Sequence, residues 1–329
     1  MKTIVLIGGG SATGNLLRGL RQFPTNNIVV VSTADDGGST GVLRRDLGVM
    51  PWGDVRQCLT ELAYTAPALK KLFSYRFAEG ALKGHSVGNI ILAALEKVTG
   101  SPESSIAEAA RLLNVRGEVL FVSQKPTTLS AQLTDGTKIE SEHEIDEPTA
   151  QKRAMIERIA LSPAEANPRA IAAIARADAI VLGPGDLYTS SFPNLLVPGI
   201  VEAITRSKAQ KILITNIMTK RGQTDGFSAS DFLRETNRYL GVPKNRSVIE
   251  TVIVNTQRPK PALLARYKKE EAEFVAPDLA ARAPRGARVI ALPLIANGVA
   301  RRARGDTLTR SFVRHNAEKT TEIIWNLVQ

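Results

Sequence analysis

The chain predicts an α/β fold: a doubly wound, mainly parallel Rossmann-like sheet with a small antiparallel insertion. Three observations carry this. Short apolar strands alternate with helical stretches from the first residue, glycine-rich turns follow several of those strands, and one central stretch changes to hairpin texture. The elements run in order. A strand at Thr3–Ile7 leads into a helix at Gly14–Gln22, and a second strand covers Ile28–Val31. Later strands are expected at Ala179–Leu182, Lys211–Ile214, Val248–Asn255 and Val289–Leu292. Between them Gly53–Tyr64, His85–Lys97, Pro168–Arg176, Pro198–Ser207 and Ser228–Leu240 carry apolar residues at helical spacing, as helices covering a sheet would. In the stretch Gly117–Ser141, Val119–Val122, Leu129–Leu133 and Thr137–Ile139 flank the turn Asp135-Gly136 and suggest antiparallel strands, so a β-rich insertion is placed at about 117–145.

With 329 residues, 43% of them apolar, the chain can bury a large core in one domain or two closely joined ones. No flexible linker or repeat is evident, and residues 1–329 read as a single domain. Pro277–Gly286, rich in Ala, Arg and Pro, reads as a mobile surface segment. The apolar start Met1–Ile7 stops at Gly8 with no small-residue cleavage site, and no run is long enough to span a bilayer. One cysteine, Cys58, allows no internal disulfide and sits among Leu59, Leu62 and Ala63, where it reads as a small buried hydrophobe rather than a nucleophile. A cytoplasmic location is therefore expected. Of the net charge of +11, +7 falls in 258–329, where 14 Lys/Arg meet 7 Asp/Glu. That basic segment, with Arg282, Arg285, Arg288, Arg301, Arg302, Arg304, Arg310 and Arg314, is a candidate anion surface. Few aromatics interleave its arginines, so a solvated face with some phosphate contacts is favoured over a nucleic-acid site.

The chemistry-bearing residues lie where strands end. Asp35-Asp36-Gly37-Gly38-Ser39-Thr40-Gly41 places two adjacent carboxylates in a glycine loop, where they serve no apolar core and call for a cation, a hydroxyl-rich ligand or backbone amides. The first strand runs into Gly8-Gly9-Gly10-Ser11-Ala12-Thr13-Gly14-Asn15, a turn opening a helix, whose amides favour a phosphate. Its spacing departs from the dinucleotide fingerprint, because Thr13 stands where the third glycine would fall. Asp54 opens the next helix, equally readable as a cap or as a ligand or metal contact. His85 and Asn89 lie one turn apart at another helix start, with even claims to capping and to lining a site. Gly183-Pro184-Gly185-Asp186-Leu187-Tyr188-Thr189-Ser190-Ser191 forms a second phosphate-type loop, and Asn216 and Thr219 follow a third strand. Loops at the strand ends of one sheet would face a common crevice.

Together these blocks, with Gly53-Asp54-Val55-Arg56, Gly84-His85-Ser86-Val87-Gly88-Asn89 and Thr215-Asn216-Ile217-Met218-Thr219, closely resemble the YvcK-like gluconeogenesis factor family over nearly the whole chain. That family is similar in fold to the 2-phospho-L-lactate transferases (CofD). The resemblance implies a cytoplasmic bacterial protein needed for normal cell shape on gluconeogenic carbon sources, which binds UDP-sugars, notably UDP-N-acetylglucosamine, without established catalysis. It also implies nucleotide-sugar contacts from Tyr267, stacking on base or sugar, and from Arg314, meeting phosphate. The sequence departs from the family pattern at Trp52 (proline expected), Gln223 (an acid) and Asn316 (Asp), the last weakening any His-Asp pair at His315.

The expected ligand contacts are thus Gly9, Gly10, Thr13, Gly14, Asn15, Asp35, Asp36, Gly38, Ser39, His85, Asn89, Gly185, Asp186, Tyr188, Asn216, Thr219, Tyr267 and Arg314. Three functions compete. The favoured one is a nucleotide-sugar-binding regulator with a protein partner in cell-wall synthesis or central metabolism, needing no cofactor. The runner-up is a transferase in which Asp35, Asp36 or Asp54 holds Mg²⁺ against a diphosphate. The third is a nucleic-acid binder resting on charge alone. GDP and NAD are the other nucleotides considered for the crevice, no metal site is assigned with certainty, and a homodimer is expected from the resemblance and from how common two-fold dimers are.

Overall fold

The computed structural model describes residues 1–148, 154–243, 246–279, 284, 286–298 and 311–329. The first half contains β1 (Lys2–Ile7), α1 (Gly10–Leu20), β2 (Thr25–Val31), α2 (Gly38–Leu47), α3 (Trp52–Leu62), α4 (Pro67–Ser74), α5 (Val87–Thr99), α6 (Pro102–Leu112), β3 (Glu118–Phe121), β4 (Leu129–Leu133), β5 (Lys138–Ile139) and α7 (Glu142–Asp146). The second half contains β6 (Ile156–Leu161), α8 (Pro168–Arg176), β7 (Ala179–Leu182), a π-helical turn (Leu187–Ser191), α9 (Phe192–Leu195), α10 (Ile200–Arg206), β8 (Gln210–Ile214), α11 (Ala229–Tyr239), β9 (Thr251–Asn255), α12 (Pro261–Lys269), β10 (Arg288–Leu292) and α13 (Ala317–Val328).

Seven strands form one sheet in the order β10-β9-β8-β7-β1-β2-β3, every neighbouring pair parallel. The order reverses between β1 and β7. At such a switch point the connections leave in opposite directions and open a crevice beyond the strands' carboxyl ends. Strand pleating sends alternate residues to opposite faces. Val5, Ile7, Val30 and Leu182 enter a core shared with α8, α10, α11 and the small sheet, while Ile4, Leu6, Val29 and Val181 meet α1, α3, α5 and α13. Burial on both faces explains why these strands read as continuous apolar runs.

Two details differ from the sequence reading. Val119–Phe121 belongs to the parallel sheet, where β3 pairs with β2, and not to the antiparallel strands. Its apolar run reflects burial under helices on both faces. The antiparallel sheet is β5-β4-β6, so its third strand comes from Ile156–Leu161, beyond the hairpin that signalled it. Trp52 opens α3 with its ring 5.3 Å from Phe121 and its indole N–H donated to Glu96. Asn316 caps α13 by accepting the Lys319 amide. Residues 280–283 of Pro277–Gly286, and Arg282, Arg285, Arg301, Arg302, Arg304 and Arg310, lie outside the described residues, as does much of the basic-segment reading. No helix among the described residues is long and apolar enough to cross a membrane.

Candidate functional site

A cleft of about 590 Å³ lies at the switch point, within the range of small-molecule sites. One side is the turn after β1. Gly9 is the N-cap of α1 and brings no capping side chain, no acid lies in the first helical turn, and Gly9, Gly10, Ser11 and Ala12 line the wall with the Asp54 carboxylate of α3 packed against Gly9. Opposite stands the loop after β7, with Gly185, Asp186, Thr189 and Ser190. Gly183 has φ +72° and a Cβ there would lie 2.7 Å from the Ile214 carbonyl, so this turn needs glycine. Asn216, just past β8, accepts the Gly185 amide and ties the two strand-end loops together.

A carboxylate ridge crosses the floor. A Cβ on Gly9 would overlap the Asp54 carboxylate, and one on Gly53 would lie 2.9 Å from Asp35 Oδ2 and 2.6 Å from Thr40 Oγ1. Each glycine therefore makes room for an acid or hydroxyl on a neighbouring element. Burial raises the Asp35 carboxyl above the usual range, against the Gly37 amide and the Thr40 hydroxyl that stabilise its charge. Glu142, from α7, is pushed up well above the usual carboxyl range by burial and by the nearby Asp35, Asp146, Asp36 and Asp54. Among the described residues, no group of three or more His, Cys, Asp or Glu side chains is arranged to hold a metal ion.

Helix α7 closes the cleft like a clasp fixed at both ends. At its start Asp36 accepts the Ser141 hydroxyl at 3.2 Å and the His143 amide at 2.8 Å. At its end Asp146 accepts the Lys220 ammonium at 3.1 Å, the Thr189 hydroxyl at 3.0 Å and the Gln223 amide at 3.2 Å. Lys220 also donates to Asp186 at 3.2 Å. Although burial opposes both charges, the Lys220 pKa is raised by Asp186 and Asp146, and Lys220 with its fellow donors holds Asp146 below the usual carboxylate range. This charged triad welds α7, the β7 loop and the segment after β8.

The last wall is the segment 311–315. Its backbone is held by Tyr267, whose hydroxyl accepts the Phe312 and Val313 amides at 2.9 and 3.0 Å. Ala296 donates to the Arg314 carbonyl and Asn15 to that of His315. Tyr267 is only 4% exposed, with Phe312 packed edge-on at 5.5 Å. His315, 5% exposed, is pushed down to about 4 by burial, against a hydrogen bond to the Thr215 backbone that favours its charge.

Of the residues singled out in the sequence, Gly9, Gly10, Asn15, Asp35, Ser39, Asp54, Asn89, Gly185, Asp186, Asn216, Thr219, Tyr267 and Arg314 line this cleft. Thr13 and Gly14 lie on the buried side of α1, Gly14 against Glu61. Gly38 is exposed outside the wall, Asp36 anchors α7, and His85 backs Ser39 at 3.2 Å. Tyr188 is elsewhere: its ring is buried between Phe192 and Tyr239 and its hydroxyl donates to Glu235, so it belongs to the core beneath the loop. Sequence reading missed Arg56, Arg76, Glu142, Asp146 and Lys220, all in the cleft wall. Arg56 stood in a quoted block, but the others carried no spacing signal.

Four comparisons with known proteins bear on this arrangement. Residues 4–295 match the family model described as 2-phospho-L-lactate transferase CofD. The chain is 43% identical over 280 residues to a gluconeogenesis factor of Halalkalibacterium halodurans, covering 84% of each chain. It is 35% identical over 329 residues to the gluconeogenesis factor of Bacillus subtilis, covering 99% of this chain and 98% of that one. A crystal structure of a UPF0052 family protein from Bacillus halodurans superposes with a TM-score of 0.89 at 38% identity, covering 98% of each chain.

Proposed function

The chain belongs to the CofD family, and from that membership we propose that it is a gluconeogenesis factor whose switch-point cleft binds a UDP-sugar, notably UDP-N-acetylglucosamine, as a regulatory ligand. The observation that carries this reading is the glycine-capped start of α1, with Asp54 packed against Gly9, lining the same cleft as Gly185 and Asp186 of the loop after β7. First-turn amides and the positive end of the helix dipole suit a diphosphate, and Arg314 lies on the same cleft for a phosphate oxygen. Asp186, Asn216 and Thr219 supply acceptors and donors for sugar hydroxyls. The bound state would then be reported to a protein partner in cell-wall synthesis or central metabolism, in the cytoplasm, and would serve cell shape during gluconeogenic growth. A homodimer is the expected assembly.

A second reading, a transferase acting on a diphosphate-linked substrate, is favoured by one observation: Asp35 and Asp54 form a ridge beside the α1 terminus. Mg²⁺ held there would neutralise a diphosphate while an acceptor hydroxyl attacks the distal phosphorus, the bridging P–O bond breaks and the nucleotide leaves as its monophosphate. Calorimetric titration with UDP-N-acetylglucosamine, with and without Mg²⁺, followed by analysis for UDP and UMP, separates the two. Saturable binding with intact ligand supports the regulator, nucleotide release supports the transferase, and no binding refutes both for this ligand and directs the search to GDP or NAD.

A further inference from the structure

The part of the cleft wall supplied by α2, α3 and α5 has a charge and a construction of its own. Along with Asp54 and Asp35, the wall there carries Ser39 and Thr40 of α2, Arg56 and Gln57 of α3, Arg76 after α4, and Asn89 of α5. Arg56 is only 7% exposed. Burying a guanidinium is costly unless its surroundings are built to receive it. Here they are. Its stem passes over Gly88, where a Cβ would lie 2.7–2.8 Å from Arg56 Cδ and Cγ, so glycine at that position is the space the arginine occupies.

The head is fixed as well. Arg56 Nε donates to Asn89 Oδ1 at 2.9 Å, and Asn89 is 2% exposed. Because arginine only donates, the Asn89 carbonyl must face it, which turns the amide nitrogen toward Ser39 Oγ at 3.4 Å. Ser39 in turn meets His85 Nδ1 at 3.2 Å. This buried relay orients one guanidinium and one hydroxyl on the same wall. Ser39 and Thr40 also lie in the first turn of α2, where the Asp35 carboxylate already accepts the Gly37 amide at 3.0 Å and the Thr40 hydroxyl. A second guanidinium, Arg76, lies on this wall and is steadied by donating to the Gly84 carbonyl.

We infer that this wall is a second anion subsite, which takes the phosphate group of a small molecule on Arg56, Arg76 and Ser39 while the start of α1 is occupied. Guanidinium–phosphate pairing is strong and directional. Two anion subsites in one cleft would make it a two-ligand site. One ligand is seated on the switch-point loops and the other is a phosphorylated small molecule.

Inorganic phosphate is the probe. Its ³¹P line width is followed on titration into wild-type protein, with and without saturating UDP-N-acetylglucosamine, and into Arg56→Gln and Asn89→Ala. Arg56→Gln is expected to weaken phosphate about tenfold or more, the loss of a charge-assisted hydrogen-bonding pair. Asn89→Ala, which removes one hydrogen bond that orients the guanidinium, should weaken it less. Phosphate should still bind beside the nucleotide sugar. Circular dichroism checks that each variant is folded, and Arg76→Gln replaces Arg56→Gln if the latter is not. Phosphate that is displaced one for one by UDP-N-acetylglucosamine, or is indifferent to both arginine variants, or does not bind wild type at millimolar concentration, overturns the inference. If the nucleotide sugar itself does not bind, the regulatory reading fails while the phosphate result on the arginine variants still decides the subsite.

Discussion

Replacing Tyr267 by phenylalanine removes one oxygen and leaves the ring, and the structure makes that oxygen the more consequential part. The hydroxyl is the acceptor for two successive backbone amides, Phe312 at 2.9 Å and Val313 at 3.0 Å, at the start of the segment that carries Arg314 and His315. A buried amide without an acceptor costs about 1–3 kcal/mol. The Val313 contact is buried and the Phe312 contact half-buried. Water can reach the latter more readily, so the pair is worth about 2–4 kcal/mol. The segment keeps its other ties, Asn15 to the His315 carbonyl at 2.7 Å and Ala296 to the Arg314 carbonyl at 2.9 Å. The loss should therefore appear as local opening. If ordering the segment takes about 1.4–2 kcal/mol from binding, affinity for UDP-N-acetylglucosamine falls about ten- to thirtyfold. Calorimetry gives the affinity, and hydrogen exchange at Val313 reads the opening without any ligand. In a double-mutant cycle Tyr267→Phe should add little to Arg314→Ala, because the first acts through the segment holding the second. Wild-type affinity for Tyr267→Phe alongside lost affinity for Tyr267→Leu would refute this reasoning and assign the ring a direct stacking role.

Other perturbations test other parts of the cleft. Gly9→Ala drives a methyl into the Asp54 carboxylate and should abolish ligand binding, with partial recovery in Gly9→Ala/Asp54→Ala, measured by the same titration. Lys220→Met leaves Asp146 and Asp186 without their shared cation and should destabilise the fold by about 3–5 kcal/mol in urea titration, an effect reduced when Asp146→Asn is added. His315 is pushed down to about 4 in the fold from its ordinary 6.5, so the unfolded chain binds more protons between those values and stability falls as pH drops through that window. The difference between wild type and His315→Asn should reach about 3 kcal/mol near pH 4 and vanish above pH 7. Glu142 has the opposite sign: its raised pKa means stability is lost as pH rises above the ordinary carboxyl range, so Glu142→Gln should raise the melting temperature at pH 8 and leave it little changed at pH 4.

The strand-end loops were legible because they break a pattern. Apolar runs such as Ile4–Ile7 and Ala179–Leu182 end abruptly in glycine, proline and short polar residues, which only a turn facing solvent or ligand can use. Strand order was not written in any run, but the alternation of strands and helices restricted it to the doubly wound class. What sequence could not give are pairings across distance. Lys220 reaches Asp146 from 74 residues away, and Asp36 reaches His143 across 107, with no periodic pattern to mark either. Tyr188 shared a motif with true cleft residues, yet one turn of π-helix rotates its ring into the core, where Glu235 waits 47 residues on. Tyr267 was singled out by resemblance as a stacking ring. Its hydroxyl contact with a backbone 45 residues distant is visible only in three dimensions.

The most direct test of the account is a crystal structure of the chain with UDP-N-acetylglucosamine. The account predicts diphosphate oxygens within hydrogen-bonding distance of the Ser11 and Ala12 amides, at the start of α1 and facing Gly185. A diphosphate seated elsewhere, on the basic C-terminal segment or against α2 alone, would contradict it.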